Sequence, residues 1–443
     1  MHGHGLPALP GRQRAVWLLA AALAPFAVAT VVGLVLLWPS GRGHSTGAGV
    51  QVAGGRRIAF ETGTVLDATA QRCGAGPTAG GSDAGGSEGA TCLTLVVQLR
   101  TGPEAGRAVT VPVGNAGSAR LKAGDLVRLG RAVDPTTRQA SYLFDDVVRD
   151  APLAWLAAVF AVVVVVVARW RGLAALAGLG VTYLVLVAFV LPALLVGRPA
   201  VAVGLVAASA ILFVVLYLAH GISARTSAAL LGTVLSLALT GVLAWAAIGL
   251  TRLTGLAAEQ LPYLRAAAPL VSITGLLLCG LVIGTLGVLN DATVTQASAV
   301  WELYEADPGS GPLRLYRSAM RIGRDHIAST IYTLVLAYAG SALPVLLLFS
   351  VSGRSAHDVL TGEEIAGEMV RGLVGGIGIA ASVPITTAVA AAVVTAAARS
   401  ARRSPATPPD VPPEDGQWHG GQQWPVEAGP AEPWSGQQWP TRP

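Results

Sequence analysis

Eight apolar stretches, each close to the length needed to cross a bilayer, constrain this chain more than any other feature. They lie at about 15–38, 151–168, 172–196, 199–219, 227–250, 269–290, 327–350 and 370–398. A transmembrane helix needs about 20 predominantly apolar residues. Only 12% of the residues are charged, whereas soluble proteins have about 25%. We therefore predict a mostly α-helical, polytopic membrane protein with a bundle of about eight transmembrane helices.

The first stretch follows Arg12 and Arg14, as the core of a signal peptide would. Its apolar run exceeds the roughly 7–15 residues of a cleavable core, so we interpret 15–38 as a retained helix that follows a cytoplasmic segment, 1–14. Arginines of the short loops fall mostly on one side of the predicted membrane, and positive residues mark the cytoplasmic side. The sequence thus predicts a plasma or inner membrane protein with both termini in the cytoplasm and a seven-helix domain at 151–398.

Residues 39–150 are predicted to form a small extracytoplasmic all-β domain. Five short segments rich in Val, Leu and Thr are separated by Gly, Pro and Asp, at 57–68, 91–100, 108–113, 125–129 and 140–148. This count is typical of a small barrel or sandwich, and an OB-like barrel is one candidate. We expect such a domain to pack on the membrane part or bind a partner, and a ligand-binding barrel is the alternative.

Cys73 and Cys92 flank a Gly/Ser-rich loop in this segment. In an oxidising compartment the two could form a disulfide, and in the cytosol they would be free. Cys279 lies in an apolar stretch and is interpreted as packing. We predict no metal site, since histidines are not near these cysteines and the Asp/His residues described below lack the spacing of a structural zinc site.

The C-terminal segment, 399–443, is rich in Pro, Gly, Gln and Trp, and a Gly-Gln-Gln-Trp-Pro sequence occurs twice. This composition is typical of a disordered tail. Its tryptophans could bind a protein partner or the lipid interface, and these are Trp418, Trp424, Trp434 and Trp439.

Two polar blocks beside the sixth and seventh apolar stretches resemble the YibE/F-like membrane protein family. The blocks are Gly287-Val288-Leu289-Asn290-Asp291 with Thr295-Gln296-Ala297-Ser298, and Gly323-Arg324-Asp325-His326-Ile327-Ala328-Ser329-Thr330 with Thr333-Leu334-Val335-Leu336-Ala337-Tyr338. The resemblance covers about residues 50–400. It implies a polytopic membrane protein with an extracytoplasmic domain after the first helix.

The first block offers one candidate site. Asp291, Thr295 and Ser298 follow at i, i+4 and i+7, beside Gln296. If the helix continues past Leu289, they form a polar stripe at the cytoplasmic end of the bundle. If it ends at Asn290, they are solvated loop. Both interpretations stay open, and Asp291 is the residue nearest to the hydrocarbon.

The second block offers another candidate site. Asp325 could cap a helix that begins near Ile327, since the helix dipole favours a carboxylate there. Alternatively Asp325 and His326 face Asp291 and relay protons or hold a cation, because an imidazole changes charge in the physiological pH range. Arg324, Ser329 and Thr330 complete this set of candidate coupling residues.

Helix breakers in the last two stretches give a third clue. They are Pro344, Gly375, Gly376, Gly378 and Pro384. Interrupted helices mark binding sites in many transporters. Small residues also let continuous helices pack closely, so the pattern allows either role.

These observations favour a permease or exporter of a small solute or ion, coupled to protons. A membrane scaffold or envelope-assembly factor acting through the β-domain and tail is the alternative. We expect neither enzyme activity nor a cofactor, since no nucleophile elbow, phosphate loop or dinucleotide fingerprint is present. An intramembrane enzyme is the third hypothesis.

The arginines form no single basic face, so we expect no nucleic-acid partner. The partners we expect are the lipid bilayer and the solute, and the sequence leaves the oligomeric state open.

Overall fold

The structure is a computed structural model that describes residues 10–39, 50–52, 56–72, 91–115, 121–134, 137–255, 264, 268–353 and 355–403. Its helices are α1 (Pro10–Leu37), α2 (Asp150–Val185), a π-helical turn (Leu186–Val190), α3 (Leu191–Leu195), α4 (Ala200–His220), α5 (Ala224–Thr251), α6 (Ile273–Ala306), α7 (Pro312–Val351), α8 (Ala356–Thr361) and α9 (Glu363–Arg403). Its strands are β1 (Val50–Val52), β2 (Arg56–Arg72), β3 (Thr91–Leu99), β4 (Ala108–Asn115), β5 (Leu126–Val133) and β6 (Ala140–Val147).

Seven helical stretches in the described part of the chain are long and apolar enough to span a membrane. The prediction of a mostly helical fold with several helices long enough to span a membrane is confirmed. The predicted spans 151–168 and 172–196 lie in one stretch, Asp150–Leu195. Its 46 residues would extend about 69 Å as a straight helix, twice the hydrocarbon thickness.

This long stretch bends between the two predicted spans, so the structure agrees with eight spans carried by seven helical stretches. Arg169 alone leaves helical geometry, with φ 55° and ψ −130°. Gly172 packs so closely on the Val164 carbonyl that a Cβ at this glycine would lie 2.4 Å from the oxygen. The bend therefore depends on a residue without a side chain, and it divides the stretch into two arms.

The helices around the two family motifs are longer than their apolar runs. Helix α6 continues past Leu289 to Ala306, so the loop interpretation of the first block is wrong. Helix α7 begins at Pro312 after Gly311, so Asp325 lies in its interior and the capping interpretation is wrong. Each helix extends beyond its apolar run because one face still packs in the core, through Val300 of α6 and Leu315 of α7.

Helices α5, α6 and α9 form the centre of the bundle, since α9 packs on both α5 and α6, which also pack on each other. In the most apolar part of α9, half of the residues are buried, whereas in that of α7 only 11% are buried. Helix α7 is thus a peripheral helix with one broad face open. The segment between the last two predicted spans, 351–369, contains α8 and the start of α9.

The β-domain is one antiparallel sheet with strand order β4-β3-β2-β5-β6, and β1 pairs with β2. All five predicted strands form, while the short β1 was not predicted. Strand β2 pairs with β5 through its first half and with β3 through its second half, with an irregularity between Val65 and Asp67. The sheet curls so that β4 approaches β6, and its inner face buries Leu95, Val97 and Leu129.

Candidate functional site

Helix α5 carries a stripe of hydroxyls on the face that it turns to the bundle centre. Thr233, Ser236 and Thr240 are completely buried. Each donates a hydrogen bond to a carbonyl one turn earlier in the same helix, at 2.7–2.8 Å. Thr233 also lies 2.5 Å from the hydroxyl of Thr293 on α6. These hydroxyls are therefore satisfied without requiring a fixed partner on a neighbouring helix.

Gln296 of α6 connects three helices. Its amide nitrogen donates to the Ala319 carbonyl of α7 at 3.0 Å and to the Thr387 hydroxyl of α9 at 2.7 Å. The side chain is 1% exposed. We call the buried polar side chains between α5, α6 and α9 the polar seam. They are Thr233, Ser236, Thr240, Thr293, Gln296, Ser382, Thr386 and Thr387.

Glycines bring the helices together along the polar seam. A Cβ at Gly232 would lie 2.3 Å from the Thr386 hydroxyl and 3.1 Å from the Thr386 Cα. A Cβ at Gly378 would lie 2.3 Å from the Thr240 hydroxyl. At Gly323 it would meet Val383 at 2.4 Å and the Gln296 carbonyl oxygen at 2.9 Å. The seam is thus closely packed, and small residues are required on α5, α7 and α9.

Three buried polar atoms at or beside the polar seam have no hydrogen-bond partner among the described residues. They are the Thr386 Oγ1, the Asn290 Oδ1 and the His326 Nε2. Buried polar groups are normally paired with protein or water. These atoms therefore mark places where water or another polar species would be stabilised.

The contacts between helices place Asn290 and His326 at nearly the same depth. Gln296 meets Gly323, and both Thr285 and Leu334 meet Gly375, which fixes the antiparallel register of α6 and α7. With a rise of about 1.5 Å per residue, Asn290 and His326 differ by about 5 Å along the helix axes. Two unpaired polar atoms from neighbouring helices thus share one level of the bundle.

The predicted charged residues point away from the polar seam. Asp291 and Thr295 lie on the exposed face of α6, and Arg324 and Asp325 on the exposed face of α7. In the described part of the chain, no hydrogen bond or ion pair involves the side chains of Asp291, Arg324 or Asp325. The proposed facing of Asp291 and Asp325 across the two helices is therefore not observed as a contact.

The other members of the predicted set are divided between the two faces. His326 and Ser298 are half-buried, and Ser329 is exposed. The Thr330 hydroxyl donates to the His326 carbonyl at 2.8 Å, which is a bond within α7. Of the residues predicted as a coupling site, the structure brings Gln296 into the polar seam and His326 to its edge.

The predicted helix breakers lie within continuous helices. Pro344 is inside α7 and Pro384 is inside α9. Gly375 packs against Leu334 and Thr285, at 3.1 and 3.3 Å from an added Cβ, while Gly376 has open space. Gly375 and Gly378 therefore support the close-packing role that the sequence left open.

A cavity of about 300 Å³ lies at the opposite end of the bundle, lined by the segment after α5, by α6 and α7, and by the start of α9. Glu363 accepts hydrogen bonds from the backbone and hydroxyl of Thr254 and from the Gly255 amide, and so ties the end of α5 to α9. Arg371 pairs with Glu368 at 2.6 Å in the cavity wall. This end carries carboxylates, in contrast to the neutral seam.

The β-domain buries a charged pair of its own. Glu61 is 4% exposed, and its carboxylate lies 3.7 Å from the Arg131 guanidinium. Gly102, at φ +96°, covers this carboxylate, because a Cβ there would lie 2.2 Å from it. The nearby Tyr142 hydroxyl is buried, and its burial together with the charge of Glu61 raises the pKa of this phenol.

Some predictions lie outside the described residues. These are the disulfide, since Cys73 and the side chain of Cys92 are not described, and the role of the Trp-rich tail. The buried Cys279 is a free thiol. Within the described ranges no group of three His, Cys, Asp or Glu side chains is arranged to hold a metal ion.

The hydroxyl stripe of α5 was missed from the sequence, although a signal was present. Thr226, Thr233, Ser236 and Thr240 recur at helical spacing inside an otherwise apolar stretch. The sequence analysis considered charged residues first, because these are the costliest in a membrane. Neutral hydroxyls that bond to their own helix are cheap, and they occupy the interior instead.

The model of the YibE/F-like protein family matches residues 156–396, which is more than half of the chain. The matched region includes both motif blocks, the polar seam and all of the transmembrane stretches after the bend. No curated protein and no solved structure matches the chain.

Proposed function

The chain belongs to the YibE/F-like protein family, and we propose that it is a proton-coupled permease or exporter of a small solute or ion. The observation that carries this proposal is the pair of buried polar atoms without a partner among the described residues, the Asn290 Oδ1 and the His326 Nε2, which lie within about 5 Å in depth. A carbonyl oxygen accepts hydrogen bonds or binds cations, and an imidazole nitrogen takes up or releases a proton. Together they suit a proton or a small cation.

The path in this proposal follows the polar seam. Ser236 and Ser382 lie on helices that adjoin this level, and their hydroxyls bond to carbonyls of their own helices. Polar residues in a bundle interior often line such paths in transporters. The seam residues are at most 1% exposed, so this conformation is closed and the path requires α7 to move relative to α6 and α9.

The exposed charges have a separate role in the proposal. Asp291 lies on the exposed face of α6 beside the site, where it would favour cations, whereas exposed arginines of α7 outweigh the charge of Asp325. We place the protein in the plasma or inner membrane with both termini cytoplasmic, because the arginines Arg169, Arg171, Arg225 and Arg399 fall on one side. The β-domain is then extracytoplasmic. Its strand order and curl support the OB-like barrel.

The proposal assigns no enzyme activity and no cofactor to the protein. Its competitor is a scaffold that acts through the β-domain and the tail. A scaffold should tolerate neutral replacements of His326 and Asp291 and lose function when the β-domain or tail is deleted. A permease should respond in the opposite way.

The test is proton movement in vesicles that contain the purified protein, measured across a panel of ions. We expect solute-driven proton flux in the wild type, its loss in His326→Gln, and a reduced flux in Asp291→Asn. Thr295→Ala, an exposed change one turn from Asp291 on α6, is the matched control and should transport normally. Wild-type vesicles that move no protons, or a His326→Gln variant with normal flux, would refute the coupling role.

A further inference from the structure

The exposed face of α7 carries an arginine stripe, defined as Arg314, Arg317, Arg321 and Arg324. These residues follow at i, i+3, i+7 and i+10, so they lie along one side of the helix. All four are exposed. The stripe is about 15 Å long at 1.5 Å per residue.

Few carboxylates neutralise this stripe. Arg314 lies 3.8 Å from Asp307, in a pair whose side chains are 77% and 51% exposed. Within the described residues, Arg317, Arg321 and Arg324 make no ion pair. Asp325 lies on the same face but beyond 4 Å from their nitrogens. The face therefore retains positive charge that faces outward from the bundle.

Further along the same helix, this face continues as an apolar surface. Beyond Asp325 it presents Tyr332, Val335, Leu336 and Leu343, which are 49–71% exposed. In a membrane protein such side chains contact hydrocarbon. Ala328 is the first apolar residue of this face, and Arg324 lies about 6 Å below it along the axis.

From these positions we infer that the arginine stripe binds the phosphate groups of anionic phospholipids. The headgroup region is about 5–7 Å thick on each side of the hydrocarbon, so Arg324 lies at phosphate level. Arg321 reaches the same level because long side chains extend toward the interface, and Arg317 lies within a Debye length of it. A guanidinium binds phosphate through two parallel hydrogen bonds.

Anionic lipid fits this surface better than an acidic protein does. A protein partner would have to cover the charged face while leaving the adjoining apolar face in lipid. A lipid molecule meets both faces at once, since its phosphate is attached to its acyl chains. Basic residues next to a transmembrane helix each favour an anionic surface by about fivefold in affinity.

The experiment uses the full chain in neutral detergent, with phosphatidylglycerol and phosphatidylcholine of identical acyl chains, and counts bound lipids by native mass spectrometry. We expect the wild type to prefer phosphatidylglycerol by fivefold or more. The variant Arg317→Gln, Arg321→Gln, Arg324→Gln should bind both lipids about equally. The corresponding triple Lys variant should keep the preference, because it keeps the charge.

A matched control changes the same net charge elsewhere, through Arg100→Gln, Arg107→Gln and Arg138→Gln in the β-domain, all at exposed positions. It should bind lipids like the wild type. Helix content and elution volume report whether each variant is folded. Equal binding of the two lipids by the wild type, or an undiminished preference in the folded triple Gln variant, would overturn the inference. Binding of polyglutamate with no lipid preference would replace it with an acidic protein partner.

Discussion

In the bundle, the completely buried polar side chains of the described residues are neutral, namely hydroxyls and the amide of Gln296, whereas the β-domain buries the Glu61 carboxylate beside Arg131. A hydroxyl on a helix can donate to a carbonyl of its own helix, as Thr240 does to Ser236. A buried carboxylate has no such local solution and depends on a second charged group. The bundle interior can therefore rearrange without leaving most of its polar groups unpaired, while the β-domain is held in one arrangement.

The largest effect should come from breaking the charged pair. The Arg131 side chain is only 21% exposed, and Glu61→Ala removes the carboxylate that lies beside its guanidinium. We expect a loss of about 2–4 kcal/mol, at or below the usual range for a broken buried pair because Arg131 keeps some solvent. Hydrogen exchange of β5 and β6 amides in the full chain measures it. Glu104→Gln removes the exposed pair with Arg107 and should change exchange little; equal effects of both variants would contradict the comparison.

The next effect concerns Gln296, whose side chain links α6 with α7 and α9. Gln296→Ala leaves the Ala319 carbonyl and the Thr387 hydroxyl without their donor and opens a cavity. We expect the free energy of unfolding in mixed micelles to fall by about 2–3 kcal/mol. Thr295→Ala changes the neighbouring exposed residue and should cost less than about 0.5 kcal/mol. Similar losses in the two variants would mean that the seam is not a tightly packed interior.

Close approach of α5 and α9 predicts a smaller effect. Gly232→Ala places a methyl group against Thr386, including its Cα at 3.1 Å. Overpacking of this kind costs about 1–2 kcal/mol. Gly249→Ala in the same helix adds its methyl group to open space and should be neutral or slightly stabilising, since alanine favours helix. Unfolding in mixed micelles compares them, and a destabilised Gly249→Ala would show that the effect is not one of packing.

The smallest effect is expected at an exposed charge of the β-domain. The Val147 amide and then Arg149 hold the pKa of Asp146 below its usual value. Its contribution is therefore present above the unfolded pKa, near 4, and is lost as the pH falls through the lower folded value. The difference in hydrogen exchange of β6 between Asp146→Asn and the wild type should be largest near pH 6 and should shrink as the pH is lowered below 4. A difference that grows toward low pH would have the wrong sign.

The sequence predicted the transmembrane stretches and the five strands because apolar runs and alternation are local signals. It did not predict where α6 ends and α7 begins, because both helices extend beyond their apolar runs on one packed face, as at Val300 and Leu315. The sequence placed the break between the second and third spans near Arg169. It did not predict the role of Gly172, because that role depends on its contact with Val164.

For the candidate site, the sequence directed attention to Asp291 and Asp325, which lie outside, and to Gln296 and His326, which lie at the seam or its edge. It did not single out Asn290 as a polar group without a partner. Whether a buried atom is paired depends on the register between helices, and that register is set by contacts such as Gly323 with Gln296. No periodicity within one helix contains this information.

Water access to Asn290 tests the central claim most directly. In a chain whose Cys73, Cys92 and Cys279 are replaced by serine, Asn290→Cys is treated with a small, water-soluble thiol reagent in vesicles, beside Leu336→Cys on the lipid-facing side of α7. The account predicts that Asn290→Cys is labelled, at a rate that changes with an imposed pH gradient, while Leu336→Cys is not labelled. Absence of labelling at Asn290→Cys from both sides of the membrane, with and without the gradient, would contradict a polar path through this level of the bundle.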